Sequence, residues 1–156
     1  MPEIIPAILT NSAKDLKDKL KKLKGLADWI QIDIAGGKFV NNKTISIKDL
    51  GKTKLVKKFN LEAHLMVKDP DRYFGDCQKI GIKRVFFHAE AVKKPKNILR
   101  KIKKFKFQKG IALNPKTNIE KVKPYLNQIN FVLLMGVNPG IQGQKFIPSV
   151  INKIKN

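Results

Sequence analysis

The residues best suited to chemistry in this chain fall at the ends of apolar runs. Asp33 follows WIQI, His64 lies in LEAHLMV, and His88 closes RVFFH with Glu90 just beyond. Asn114 follows GIAL, and Asn138 follows FVLLMGV. Carboxylates and imidazoles can move protons near neutral pH, and both can ligate a cation. The last run empties into a loop holding Asn138, Pro139, Gly140 and Gly143, and a new segment opens at Ile147-Pro148-Ser149. Glycines just past a strand end let backbone N–H groups approach an anion closely, and a following helix N-terminus adds its dipole. The stretch FVLLMGVNPGIQGQKF, Phe131 to Phe146, therefore reads as a phosphate loop, although its glycines would also suit a simple tight turn.

Those residues must be positioned by the runs that precede them. The strand candidates are Ile4 to Leu9, Trp29 to Ile34, Leu61 to Val67, Arg84 to His88, Gly110 to Leu113 and Asn130 to Met135. Their nearly continuous apolar character suits parallel strands buried on both faces. Lysine-rich helical patterns lie between them. Ser12 is placed to cap the first, whose Leu16, Leu20 and Leu23 form one apolar stripe. Asp69-Pro70 opens a second, holding Tyr73, Phe74 and Ile80; Lys93 to Phe105, Ile119 to Leu126 and Ser149 to Asn156 supply the others. Repeated βα units imply right-handed crossovers and a parallel sheet. Polar groups after consecutive strands are what the active face of a (β/α) barrel needs. A doubly wound sheet, with its ligand at one switch point, is the competing fold. The expected class is α/β, a TIM-type (β/α) barrel, incomplete at about six of eight βα units, forming a single partial domain over residues 1–156.

Composition narrows the function classes. Lysine and arginine total 33 against 12 acids, a net charge of +21, yet arginine appears only as Arg72, Arg84 and Arg100. A nucleic-acid binder concentrates its bases in a stripe and draws on arginine for bidentate contacts. Here lysines recur in nearly every helical pattern, so a solvated basic surface is the better reading, and its field would still attract a phosphorylated metabolite. The one cysteine, Cys77, allows no internal disulfide and fits a reducing cytoplasm. No signal peptide and no membrane-spanning run is recognisable.

Six motifs in order carry a family resemblance: PAIL at Pro6 to Leu9, ADWIQIDIAGGKFVNN at Ala27 to Asn42, EAHLMVKDPDRY at Glu62 to Tyr73, FHAEA at Phe87 to Ala91, GIALNPKT at Gly110 to Thr117, and MGVNPGIQGQKFI at Met135 to Ile147. The chain resembles the ribulose-phosphate 3-epimerases, TIM barrels of the pentose phosphate pathway that interconvert D-ribulose 5-phosphate and D-xylulose 5-phosphate. Their reaction removes the C3 proton from one face and returns it on the other, which needs two acid/base groups and positive charge on the developing enediolate. The resemblance implies a divalent metal (Zn, Fe, Mn or Co) held by two histidines and two aspartates. It makes Asp33 an acid/base group and metal ligand, and His64 a ligand that also faces substrate. Met66 and Met135 become lining methionines, which would serve equally as core filler. Gly140, Ile141, Gln142 and Gly143 become the phosphate-touching loop. A phosphorylated pentulose is the implied partner, in a cytoplasmic setting.

Several positions depart from the family pattern. Gln31 stands at a histidine-ligand position, Ala7 replaces a serine, Ala35-Gly36 replaces Met-Asp, and Ile141-Gln142 replaces Phe-Gly. The second catalytic aspartate and further phosphate contacts follow the seventh and eighth strands, and this sequence reaches only the sixth helix. A complete barrel typically takes about 250 residues. These departures predict an at most weak epimerase. They leave two other readings: a non-catalytic descendant that keeps a sugar-phosphate pocket or a structural role, and a basic nucleic-acid-binding module. His88 and Glu90 are expected to be structural, at the barrel mouth, and Cys77 inert. Unpaired edges on a six-stranded sheet predict a poorly soluble chain or a homo-oligomer.

Overall fold

A computed structural model describes residues 2–155. Six parallel strands lie side by side in chain order: β1 (Ala7–Ile8), β2 (Trp29–Ala35), β3 (Asn60–Met66), β4 (Ile82–His88), β5 (Gln108–Leu113) and β6 (Phe131–Leu134). Four helices intervene, α1 (Ala13–Leu23), α2 (Ile47–Gly51), α3 (Phe74–Ile80) and α4 (Pro95–Ile102), and α5 (Val150–Lys155) follows β6. Sequential parallel neighbours joined by helical crossovers make a curved βα array, the incomplete TIM-type barrel expected from the strand pattern. Among the described residues β1 and β6 each pair on one side.

The sheet has two faces with different contents, because successive strand side chains point opposite ways. One set, Ile30, Ile32, Ile34, Leu61, Ala63, Leu65, Val85, Phe87, Ile111 and Leu113, packs with Leu16, Leu20, Leu50, Phe74, Leu99 and Ile102 of the helices in a single apolar core. The alternate set points to the barrel interior. It is ordered by register: Gln31 opposite Glu62, Asp33 opposite His64, His64 opposite Phe86, Phe86 opposite Gly110, and Gly110 opposite Phe131. The apolar runs could not reveal this, since both faces are buried and the alternation is masked.

The interior set is layered. At the N-terminal end of the strands the Arg84 guanidinium lies 3.5 Å from the centre of the Trp29 ring and 4.8 Å from that of Phe131. Arg84 also donates to Glu62 at 3.3 Å and to Gln108 at 3.1 Å. This pairing satisfies a buried carboxylate that would otherwise be costly. Above it the Phe86 ring sits against Gly110, and a Cβ on Gly110 would fall 2.2 Å from a ring carbon. The polar residues Asp33, His64 and His88 occupy the layer at the C-terminal ends.

Most elements fall where the sequence places them, with instructive exceptions. Strand β1 is shortened to two residues, because only Ala7 and Ile8 find ladder partners on β2. The helix expected over Ile119 to Leu126 is two 3-10 turns, Ile119–Lys121 and Lys123–Gln128, because Pro124 cannot donate into a continuing α-helix. Helix α4 starts at Pro95 instead of Lys93, with proline at its first turn. Helix α5 begins at Val150, one residue after Ser149, and Asn156 lies outside the described residues. Helix α2 escaped the sequence reading. Five residues carry too little periodicity, although Ser46 caps it by accepting the Asp49 N–H at 3.1 Å. Ser12 caps α1 in the same way, accepting from Asp15 at 3.3 Å.

The Gly110 contact yields a test. Gly110→Ala should cost about 1–3 kcal/mol by overpacking, read as a lower urea midpoint. Adding Phe86→Leu should recover part of that loss, and no recovery would count against the packing account.

Candidate active site

The C-terminal ends of β2, β3 and β4 bring three titratable side chains into one line. Asp33 on β2 and His64 on β3 are register partners, so their side chains leave the sheet side by side. His64 Nδ1 lies 3.0 Å from Asp33 Oδ1. Gln31, two residues before Asp33 on the same face, donates its Nε2 amide hydrogen to that oxygen at 2.8 Å. On its other side His64 Nε2 lies 2.8 Å from His88 Nε2, and His88 Nδ1 faces Glu90 Oε2 at 3.4 Å. Glu90 Oε1 accepts the Asn114 backbone N–H at 2.8 Å. A continuous string thus runs from Gln31 to the start of the loop after β5. His64 and His88 are fully buried, whereas Asp33 retains 16% side-chain exposure toward the cavity.

That cavity, about 320 Å³, is lined by Ala7, Gln31, Asp33, His64 and Met66 on one side. On the other are Met135, Asn138, Gly140, Ile141 and Gln142 of the segment after β6. Residues up to 135 positions apart in the chain therefore meet around one space. Gly143 is the one loop residue read as a contact that does not line it. Its φ of +77° and empty surroundings make it a turn residue.

The loop is held by three contacts. Gly140 has a φ of +99°, and a Cβ there would meet Val40 at 2.8 Å. The Asn42 amide donates to the Gly140 carbonyl at 3.0 Å, tying the loop after β2 to the loop after β6. Gln144 donates to the Asn138 and Ile141 carbonyls at 2.7 Å each. Asn42 lies inside a quoted motif, but only its contact across 98 positions reveals its role. The helix after the loop is six residues long and is seated by Lys153, which donates to the Asn114 and Pro115 carbonyls.

Burial and hydrogen bonding set the charges behind Asp33. Burial pushes the His88 imidazole below its ordinary value, and Glu90 pulls less strongly the other way. Burial would raise the Glu90 carboxyl, but hydrogen bonds from His88, Thr117 and the Asn114 N–H outweigh it and hold it at about 2. Cys77, buried on α3, has its thiol pushed up to about 12, which leaves it inert as expected.

An open-faced array of parallel βα units, with a cavity between a strand-end carboxylate and a glycine loop, defines the class: a TIM-type β/α barrel. The chain belongs to the ribulose-phosphate 3 epimerase family, whose pattern matches residues 3–156. It is 38% identical over 156 residues to the ribulose-phosphate 3-epimerase of Bacillus subtilis (strain 168), covering 99% of this chain and 72% of that protein. It is 32% identical to the cytoplasmic isoform of that enzyme in Oryza sativa subsp. japonica, covering 98% and 69%. Among solved structures, phosphoribosyl anthranilate isomerase from Thermotoga maritima superposes with a TM-score of 0.57 at 14% identity, over 88% of this chain and 78% of that one. That likeness concerns the barrel fold. No helix is long and apolar enough to cross a membrane among the described residues.

The charge on Glu90 makes a pH prediction. Its folded value near 2 lies below the ordinary 4.5, so ionised Glu90 stabilises the fold above about pH 4.5 and loses that contribution as pH falls toward 2. Glu90→Gln should cost about 1.5–3 kcal/mol at pH 7, as expected for a hydrogen-bonded charged group. The gap from wild type should narrow as the pH of urea melts is lowered from 7 to 3. A gap that stays constant or widens would contradict this.

Proposed function

We propose that the chain carries the proton-transfer half-site of a ribulose-phosphate 3-epimerase, acting at C3 of D-ribulose 5-phosphate and D-xylulose 5-phosphate in the cytoplasm. The observation that carries this reading is Asp33. It is a carboxylate at a strand end, oriented by Gln31 and His64 on its inner side and open to a cavity roofed by the glycine loop. Family membership supplies the substrate class.

The chemistry follows from that placement. In this reading the sugar's phosphate rests against the loop at Asn138 to Gln142 and C3 faces Asp33, which lines the same cavity. Asp33 takes the C3 proton, and the electron pair moves onto the C2 carbonyl to give an enediolate. Reprotonation from the same side restores the starting sugar; reprotonation from the opposite side inverts C3. The lysine-rich surface adds a field that draws a doubly charged phosphate toward the site. Inversion needs a second acid/base group. Asp33 is the one carboxylate among the described residues lining the cavity, so this segment supplies one of the two.

The donor set suits a divalent cation only in part. Asp33 Oδ1 and His64 Nδ1 stand side by side and would hold it as two of its ligands. Gln31 turns its amide N–H, a donor, toward the same oxygen. No group of three or more His, Cys, Asp or Glu side chains gathers at metal-ligand spacing among the described residues, whereas a catalytic zinc usually has three protein ligands. When bound, such a cation would supply positive charge to the enediolate oxygens. No observation favours the non-catalytic or nucleic-acid readings.

The decisive measurement is deuterium incorporation at C3 of ribulose 5-phosphate in D2O, followed by NMR beside the formation of xylulose 5-phosphate. Exchange should exceed inversion at least tenfold, and Asp33→Asn should reduce exchange by a factor on the order of a hundred or more, the usual contribution of a general base. Exchange that survives Asp33→Asn would sink the assignment. In a separate titration, Gln31→His should tighten Co(II) binding at least tenfold by calorimetry, since imidazole is the better ligand. Equal affinities would exclude Gln31 from the ligand set.

A further inference from the structure

We infer that Asn42 is a positioning residue that braces the glycine loop at a fixed span from Asp33, so that the site favours sugars whose phosphate and reacting carbon match that span. This rests on the reading of Asp33 and the loop given above and adds to it a residue that does not line their cavity.

The brace is built from the strand that carries Asp33. Just past that residue, the Ala35 N–H donates to Thr44 Oγ1 at 2.9 Å, and the Ala35 carbonyl accepts the Thr44 N–H at 3.1 Å. Gly36 pairs with Lys43 in an antiparallel bridge, and the Ile45 N–H donates to the Thr10 carbonyl at 2.8 Å. The Ile45 and Ile47 side chains are buried in the core. Residues 43–47 are therefore fixed to the ends of β1 and β2, and Asn42 projects from that fixed return. Its side-chain amide reaches the Gly140 carbonyl at 3.0 Å.

The loop has little else to hold it in place. Gln144 donates to the Asn138 and Ile141 carbonyls, and the Ile147 N–H donates to the Gly136 carbonyl. These internal bonds make the loop a unit without fixing where that unit sits. Among the described residues, the Asn42 bond is the one hydrogen bond that reaches residues 137–146 from outside the segment. On one side Gly140 and Ile141 face the cavity of Asp33, about 320 Å³; on the other they line a second space of about 560 Å³ with Phe39, Val40 and Pro139. A wall between two spaces takes its position from its ties. Val40, close against Gly140, resists movement toward the loop after β2, and the Asn42 bond resists movement away from it. Inorganic phosphate needs only the loop's own shape, which its internal bonds keep. A phosphorylated sugar must also reach Asp33, so it alone depends on where the loop sits. A span set beforehand lowers the ordering cost of binding it.

The test separates the brace from the phosphate grip. Order parameters from 15N relaxation of Gly140 and Ile141 should lie near about 0.85 in the wild type, the rigid-backbone value, and fall below about 0.6 in Asn42→Ala. Asn42→Gln, whose amide can still donate, should return them toward the wild-type value. In titrations followed by NMR, Asn42→Ala should weaken D-ribulose 5-phosphate about tenfold or more, and inorganic phosphate by less than about threefold. Unchanged order parameters, no recovery in Asn42→Gln, or equal losses for the two ligands would overturn the inference. Should Asn42→Ala fail to fold, Asn42→Asp, of the same shape without the donor, replaces it in the relaxation measurement, which then decides alone. A loop loosened by Asn42→Ala in a chain that does not bind the sugar supports the brace and removes only the proposed substrate.

Discussion

Asp33 and His64 meet because β2 and β3 run parallel and in register, with a sheet buried on both faces. Every second residue of such a sheet must point into an interior without water. A polar group placed there must find a partner on a neighbouring strand or pay the full desolvation penalty. The same constraint explains why a hydrogen-bonded string runs from Gln31 to His88, with Glu90 beside it, and why Arg84, Glu62 and Gln108 associate at the opposite end. A shift of one residue in register would send the whole polar set into the helical layer and the isoleucines into the cavity.

The two polar ends of the interior are kept apart by the apolar layer of Phe86, Gly110 and Phe131. This division lets each end serve a different purpose. At the N-terminal ends of the strands, charge is paired and enclosed between aromatic faces, which leaves nothing free to react. At the C-terminal ends the string has Glu90 on its inner side, and its Gln31, Asp33 and His64 members line the cavity. Position, more than exposure, sets Asp33 apart: its side chain is no more exposed than that of Glu90, but it lies on the cavity wall.

Loop contacts complete the site. The segment after β6 is shaped by the positive φ of Gly140, by the absence of a side chain against Val40, and by Asn42 from the loop after β2. The shape of the loop therefore depends on a distant segment that holds it across the cavity from Asp33. The short helix that follows the loop is seated by Lys153 on the loop after β5.

The sequence by itself determined the strand order, the parallel class and the family, because apolar runs and six motifs in series are local and survive without coordinates. By motif it also singled out Asp33, His64, Met66, Met135, Gly140, Ile141 and Gln142, which line one cavity. It could not give the partners of His88, Glu90 and Asn42, which come from other strands and loops, nor separate Gly143 from its neighbours. It missed α2, too short for a periodic signal, and over-read Ile119 to Leu126, where one proline outweighs an amphipathic pattern. Tertiary structure decided which face of each strand looks inward. With both faces apolar, only the pairing of neighbouring strands settles that choice, and with it which polar residues become partners.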